Sequence, residues 1–86
     1  MAQIAYSQIG SDWVDVTTLG TLESNKAYYI QNRGAGVLLA VESSTEPATE
    51  AGISVLPHKV LKYTYDEKLW VKADNGTCAI NISEVK

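Results

Sequence analysis

The sequence has very few residues with the chemistry of a catalytic or metal site. Among its 86 residues there is one cysteine, Cys78, and one histidine, His58. A single cysteine excludes a disulfide within the chain, and zinc needs more ligands than these two residues supply. His58 lies between Pro57 and Lys59 in a predicted turn, where no neighbour orients it as a general base. We therefore expect a protein that is not an enzyme, with no catalytic residue, metal or cofactor.

Long apolar runs are also lacking. No stretch approaches the roughly 20 apolar residues that span a bilayer. The first residues carry neither a basic region nor an apolar run of signal-peptide length. We therefore expect no membrane contact and synthesis in a reducing cytosol. The net charge of −3 argues against general binding to nucleic acid.

The length of 86 residues suits one domain, residues 1–86, with a small core. A chain of this size buries about two thirds of the surface that its unfolded form exposes. Such a core is usually supplemented by disulfides, metals or partner subunits. With the first two excluded, the stability of this domain depends on good packing or on oligomerisation.

Short runs of β-branched and aromatic residues with period-two alternation are abundant, and no segment shows sustained helical spacing of apolar residues. The runs recur about every eight to twelve residues, which is typical of sandwiches and barrels. We predict an all-β domain, a small antiparallel β-sandwich or jelly-roll-like barrel of about seven or eight short strands. The predicted strands are residues 13–17, 27–32, 37–41, 53–56, 60–65, 68–73 and 77–83.

Three segments between the predicted strands carry turn or loop signals. Residues 42–52 are polar, acidic and small, which predicts the longest surface loop. Residues 32–36 contain two glycines and predict a hairpin with Arg33 at its tip. The strongest signal is Asp74-Asn75-Gly76, because Asn-Gly readily adopts the positive φ angles of a tight hairpin.

Strand alternation places both tryptophans on the polar faces of their strands. Trp70 shares a face with Lys68 and Lys72, and Trp13 lies opposite the apolar face of its own strand. Because tryptophan is enriched at the centres of interfaces, both are candidates for contact with a partner. The alternative is that a bulge or a strand end turns each ring back into the core.

Lysines and aromatic residues interleave between residues 59 and 72, in two predicted neighbouring strands. Stacking rings beside a basic groove are typical of small barrels that bind single-stranded nucleic acid. Asp66 and Glu67 interrupt this patch and the chain is acidic, which argues against that function. Exposed tryptophan rings also favour carbohydrate, although no recognisable sugar-binding motif accompanies them. A small ligand-binding module for carbohydrate or single-stranded nucleic acid is therefore the alternative hypothesis.

Six short segments follow one another along the chain: Trp13 with residues 14–16, then residues 27–34, 46–47, 55–57, 69–73 and 79–83. Their order resembles that of small structural proteins of bacteriophage virions, the β-sandwich modules that decorate or cement capsids or belong to head fibres and tails. The resemblance implies a non-enzymatic virion protein, made in the host cytoplasm, that forms a homo-oligomer, with a trimer favoured, and docks on a capsid or tail protein. The predicted interface residues are Trp13, Arg33, Tyr63, Tyr65 and Trp70.

Overall fold

Eight strands and one short helix make up the fold, which a computed structural model describes for residues 3–48, 52–74 and 76–85. The helix, α1, is a single turn at Val16–Leu19. The strands are β1 (Gln3–Ile9), β2 (Val14–Asp15), β3 (Ala27–Asn32), β4 (Leu38–Glu42), β5 (Ile53–Val55), β6 (Val60–Thr64), β7 (Leu69–Ala73) and β8 (Cys78–Glu84).

Strands from distant parts of the chain pair with one another in two antiparallel sheets. Sheet A has the order β1-β8-β3-β6, and sheet B has the order β2-β7-β4-β5. The chain is thus folded about its middle, because β4 pairs with β5, β3 with β6, β2 with β7 and β1 with β8. This is the strand arrangement of an eight-stranded jelly roll. The predicted all-β sandwich is confirmed.

The core lies between the sheets and follows the predicted alternation. Inward-facing side chains of β8 and β7 are buried, as the period-two pattern of each strand predicts. Tyr28 and Tyr63, which pair across β3 and β6, are the largest fully buried side chains. The buried residues of β7 and β8 that face the core are Leu69, Val71, Ala73, Cys78, Ile80 and Ile82.

Two predicted hairpins are wrong, because the strands on either side of each turn belong to different sheets. Residues 33–37 carry the chain from β3 in sheet A to β4 in sheet B. Residues 74–77 carry it from β7 in sheet B to β8 in sheet A. Gly76 does adopt the left-handed φ of 78° that the turn signal predicts, while Asn75 lies outside the described residues. Arg33 is therefore an exposed residue of a crossover between sheets and not the tip of a hairpin.

The strand predicted over 13–17 is wrong beyond Asp15, where α1 begins. Asp15 caps this helix, because its carboxylate accepts hydrogen bonds from the Thr17 backbone N–H at 3.0 Å and from the Thr18 hydroxyl at 2.9 Å. Burial raises the pKa of Asp15, but the hydrogen bonds from Thr17 and Thr18 outweigh it and hold that pKa below its usual value. The strand therefore ends at Asp15, because this residue caps the helix that follows.

The polar segment between β4 and β5 has the character predicted for the loop at 42–52. Residues 43–48 are irregular and largely exposed, whereas Glu42 itself ends β4. Residues 49–51 lie outside the described residues. This loop connects the one pair of consecutive strands, β4 and β5, that are neighbours in a sheet of the described chain.

Candidate functional site

Both tryptophans lie on the outer face of sheet B. Trp70, in β7, has Asp15 of β2 and Val41 of β4 as its cross-strand partners. It points outward because its neighbours in β7 face the core. Trp13 immediately precedes β2 and contacts Lys72 of β7. We call this surface, formed by Trp13, Asp15, Val41, Trp70 and Lys72, the tryptophan face.

Polar contacts hold both rings of the tryptophan face in place. The Trp70 indole N–H donates a hydrogen bond to the carbonyl of Ser43 at 3.0 Å. The Lys72 Nζ lies 5.1 Å from the centroid of the Trp13 ring, a cation–π contact. Both rings are half-buried, and neither is among the buried core residues. Rings fixed in this way lose little conformational freedom when a partner covers them.

Tyr63 is a core residue, so its prediction as an interface residue is wrong. It is 2% exposed, and its hydroxyl donates a hydrogen bond to the carbonyl of Glu67. Alternation along β6 turns Tyr63 inward opposite Tyr28, and leaves Val60, Lys62 and Thr64 exposed. Tyr65 is half-buried and stacks on Tyr63, with ring centroids 6.2 Å apart.

The buried hydroxyl of Tyr63 predicts a loss of stability at alkaline pH. Burial raises the pKa of Tyr63 well above its ordinary value of 10.0, and nearby acidic groups, with Glu42 first, act in the same direction. The folded chain therefore keeps this proton when the unfolded chain has lost it, so stability is complete below about pH 10 and falls as pH rises further. Urea unfolding between neutral and alkaline pH measures this decline.

In the variant Tyr63→Phe the hydroxyl and its hydrogen bond are absent. We expect a loss of about 1 kcal/mol at neutral pH and a smaller alkaline decline than in the natural chain. Burial also raises the pKa of the Cys78 thiol, so this thiol is a second source of an alkaline loss of stability. The variant Cys78→Ala measures that second contribution. An alkaline decline that is unchanged in Tyr63→Phe would show that Tyr63 is not its source.

The structure does not bring the predicted interface residues together on one surface. Arg33 follows the end of β3, where its backbone N–H donates a hydrogen bond to the carbonyl of Ala79 at 2.7 Å. Tyr65 lies beside the start of β3, where its backbone N–H donates a hydrogen bond to the carbonyl of Lys26 at 3.0 Å. These two residues therefore lie at opposite ends of sheet A. Of the five predicted residues, Trp13 and Trp70 share a surface.

The interleaved lysines and aromatic residues between 59 and 72 are divided between the two sheets. Their strands, β6 and β7, are not neighbours, since β6 is an edge of sheet A and β7 lies inside sheet B. Lys62 and Lys72 consequently lie on the outer faces of different sheets, where Lys62 is exposed and Lys72 is largely buried beside Trp13. The continuous basic groove that the nucleic-acid hypothesis requires does not form from these residues.

A shallow groove of about 380 Å³ crosses the outer face of sheet A, and sequence reasoning missed it. The signal in the sequence is the alternation of polar residues along β3 and β8, on the faces away from the core. What the sequence does not show is that these two strands are neighbours. The groove is lined by Tyr29, Gln31, Val60, Asn81 and Ser83.

Groups of metal-binding side chains and membrane-spanning helices are both absent from the part of the chain that the structure describes. In residues 3–48, 52–74 and 76–85, no three His, Cys, Asp or Glu side chains are grouped to hold a metal ion. Within the same ranges no helix has the length and apolar character needed to cross a membrane. His58 is exposed in the turn between β5 and β6, and Cys78 is buried in the core.

No protein-family model, no curated protein and no solved structure matches this chain.

Proposed function

We propose that this chain is a non-enzymatic structural protein of a bacteriophage virion that self-associates and docks on a capsid or tail protein. The observation that carries the proposal is the tryptophan face, where Trp13 and Trp70 lie on the outer side of the same sheet. The order of features in the sequence supports the virion setting. The jelly roll supports it as well, because viral capsid proteins are among those that use this fold.

The tryptophan face has the composition of an interface centre. Tryptophan offers a large, rigid contact surface and recurs among the residues that contribute most to binding. Trp70 is flanked by apolar Val41 on one side and, on the other, by Asp15, whose carboxylate caps α1. A partner that covers both rings would bury apolar area at the centre and leave the polar groups at the rim.

A second group of apolar side chains remains exposed where β5 and β6 lie at the open edges of their sheets. Ile53 is 59% exposed, Leu56 is 53% exposed and Val60 is 52% exposed. Ile53 also lines a cleft of about 350 Å³ between the two edges, together with Ala40 and Leu61. Two separate apolar surfaces fit a protein that contacts both its own copies and a larger assembly.

Strand β1 lies at the other edge of sheet A, where it pairs with β8 on one side only. It spans seven residues, Gln3–Ile9, and its sequence contains no charged residue and no proline. Soluble proteins usually protect such edges with charges, prolines or a covering element. An unprotected edge of this length fits a chain whose edges are covered in an assembly.

The variant Trp70→Ala is expected to dissociate the oligomer and leave the monomer folded. Removing a tryptophan from an interface centre costs about 2 kcal/mol or more, which weakens each contact by roughly 30-fold. Light scattering gives the mass in solution, with a trimer expected for the natural chain, and circular dichroism reports the fold. The matched control is Ser24→Ala, an exposed residue of the turn before β3 that belongs to none of the surfaces proposed for assembly, and it should leave the mass unchanged.

Two outcomes contradict the proposal in different ways. An unfolded Trp70→Ala monomer would make Trp70 a residue that supports the fold and not the interface. A natural chain that stays monomeric at the highest soluble concentration would refute self-association. The virion setting is tested separately, by mass spectrometry of purified particles of the phage that encodes the chain, where its absence would refute that part.

A further inference from the structure

The groove on sheet A joins polar side chains from neighbouring strands in a regular array. Gln31 of β3 lies between Asn81 of β8 and Val60 of β6, and Tyr29 lies beside Ser83. Directly opposed residues of antiparallel strands have Cβ atoms about 5 Å apart. The two amides, the hydroxyl of Ser83 and the Tyr29 ring therefore converge on one patch at the centre of the sheet.

Both amides of the groove are anchored through their nitrogen atoms. The Gln31 Nε2 donates to the carbonyl of His58 at 3.3 Å, and the Asn81 Nδ2 donates to the Ser83 hydroxyl oxygen at 3.2 Å. Among the hydrogen bonds of the described residues, none engages the two amide oxygens. The groove thus offers two oriented acceptors to a ligand, with the hydroxyl hydrogen of Ser83 as a donor.

The lining of the groove selects a neutral ligand that has many hydroxyl groups. None of its five lining residues is charged, and the cation that the strand pairing places beside the groove is Lys62, the exposed cross-strand partner of Tyr29. The lining itself therefore favours a neutral ligand, with Lys62 at the rim as a further donor to a hydroxyl group. Tyr29 is half-buried and supplies an aromatic surface beside the amides, while Val60 supplies an apolar wall. A sugar ring has the matching chemistry, since it combines a C–H face with hydroxyls that donate to amide oxygens.

We propose that the outer face of sheet A binds a short neutral saccharide in this groove. Its ring stacks on Tyr29, and its hydroxyls donate to Gln31 and Asn81 and accept from Ser83. The volume of about 380 Å³ falls in the range of small-ligand sites. The groove lies on the opposite side of the sandwich from the tryptophan face, and it shares Val60 with the exposed apolar group at the sheet edges. The variants that test it are at Tyr29 and Gln31, which belong to neither surface proposed for assembly, so the two proposals are tested separately.

The test is a titration of the isotope-labelled full chain, followed by amide chemical shifts. The probes are the methyl α-glycosides of glucose, mannose, galactose and N-acetylglucosamine, together with an array of neutral glycans. We expect shifts confined to β3, β6 and β8. The variant Tyr29→Ala should weaken binding about tenfold, and Gln31→Ala about three- to tenfold, through loss of the stacked ring and of one hydrogen bond.

Gln8→Ala is the matched control, because it removes an exposed amide from the same face of sheet A outside the groove, and it should bind as the natural chain does. Tyr29→Phe keeps the ring and should retain binding. If Tyr29→Ala does not fold, Gln31→Ala decides. The proposal is overturned if no glycan binds, if Gln31→Ala binds as tightly as Gln8→Ala, or if oligouridylate binds the groove in a salt-sensitive way and the sugars do not.

Discussion

Replacing Asn32 with leucine is expected to lower the free energy of unfolding by about 3–5 kcal/mol. Asn32 is fully buried at the end of β3, and its side chain makes three hydrogen bonds there. Its Nδ2 donates to the carbonyls of Gly36 and Val55, each at 2.8 Å, and its Oδ1 accepts from the backbone N–H of Gly34 at 2.9 Å. Leucine has a similar size but can make none of these three hydrogen bonds.

The loss is large because Asn32 ties together the two sheets. Its hydrogen bonds hold the crossover from β3 to β4 against the end of β5, which belongs to the other sheet. Urea denaturation measures the change. The control is Gln31→Leu, which removes one exposed hydrogen bond of 3.3 Å and should cost less than about 1 kcal/mol. Equal stability of the two variants would refute the role assigned to Asn32.

Gly34→Ala is expected to cost about 2–3 kcal/mol, by steric overlap with the backbone of β8. A Cβ atom at Gly34 would lie 2.7 Å from the Ala79 nitrogen and 2.7 Å from the Cys78 Cα. These atoms belong to a paired central strand and cannot move aside without breaking its hydrogen bonds. The crossover must therefore pass β8 with no side chain at this position.

The matched control for Gly34 is Gly10→Ala. A Cβ atom at Gly10 meets no other atom within 4 Å, so this variant should stay within about 0.5 kcal/mol of the natural chain. Thermal unfolding of the two variants compares them directly. If Gly34→Ala proves as stable as Gly10→Ala, the close contact between the crossover at Gly34 and the backbone of β8 is refuted.

The positions of most strands follow from the sequence alone. The predicted strand at 27–32 coincides with β3, and β5, β6, β7 and β8 each lie within a residue or two of their predicted bounds. The reason is local, because the alternation of apolar and polar residues reports which side of each strand is buried. β1 and α1 were missed. The helix was missed because its capping by Asp15 and two threonines interrupts an alternating run.

The Asn-Gly signal was correct about the backbone shape at Gly76, and both turn signals were wrong about strand pairing. A glycine with left-handed φ permits a sharp change of direction, as Gly76 shows, but it does not decide whether the next strand returns in the same sheet. The sheet that the next strand joins depends on which strands together bury the apolar faces of the two sheets, and those strands come from distant parts of the chain. Both predicted hairpins are therefore connections between the two sheets.

The candidate surfaces divide in the same way. Alternation by itself placed Trp13 and Trp70 on the polar sides of their strands and predicted the inward faces of β7 and β8. Only the pairing of β2 with β7 brings the tryptophans onto one face, and only the pairing of β3 with β8 brings Gln31 beside Asn81.

The sequence by itself determined that this protein is an all-β domain with its tryptophans on the polar sides of their strands, because apolar and polar residues alternate with a period of two in most of the strands. The tertiary structure decided which strands are neighbours, and with them the tryptophan face, the groove and the burial of Tyr63. The physical reason is that strand pairing joins residues far apart in the chain, through backbone hydrogen bonds that carry little information about side chains.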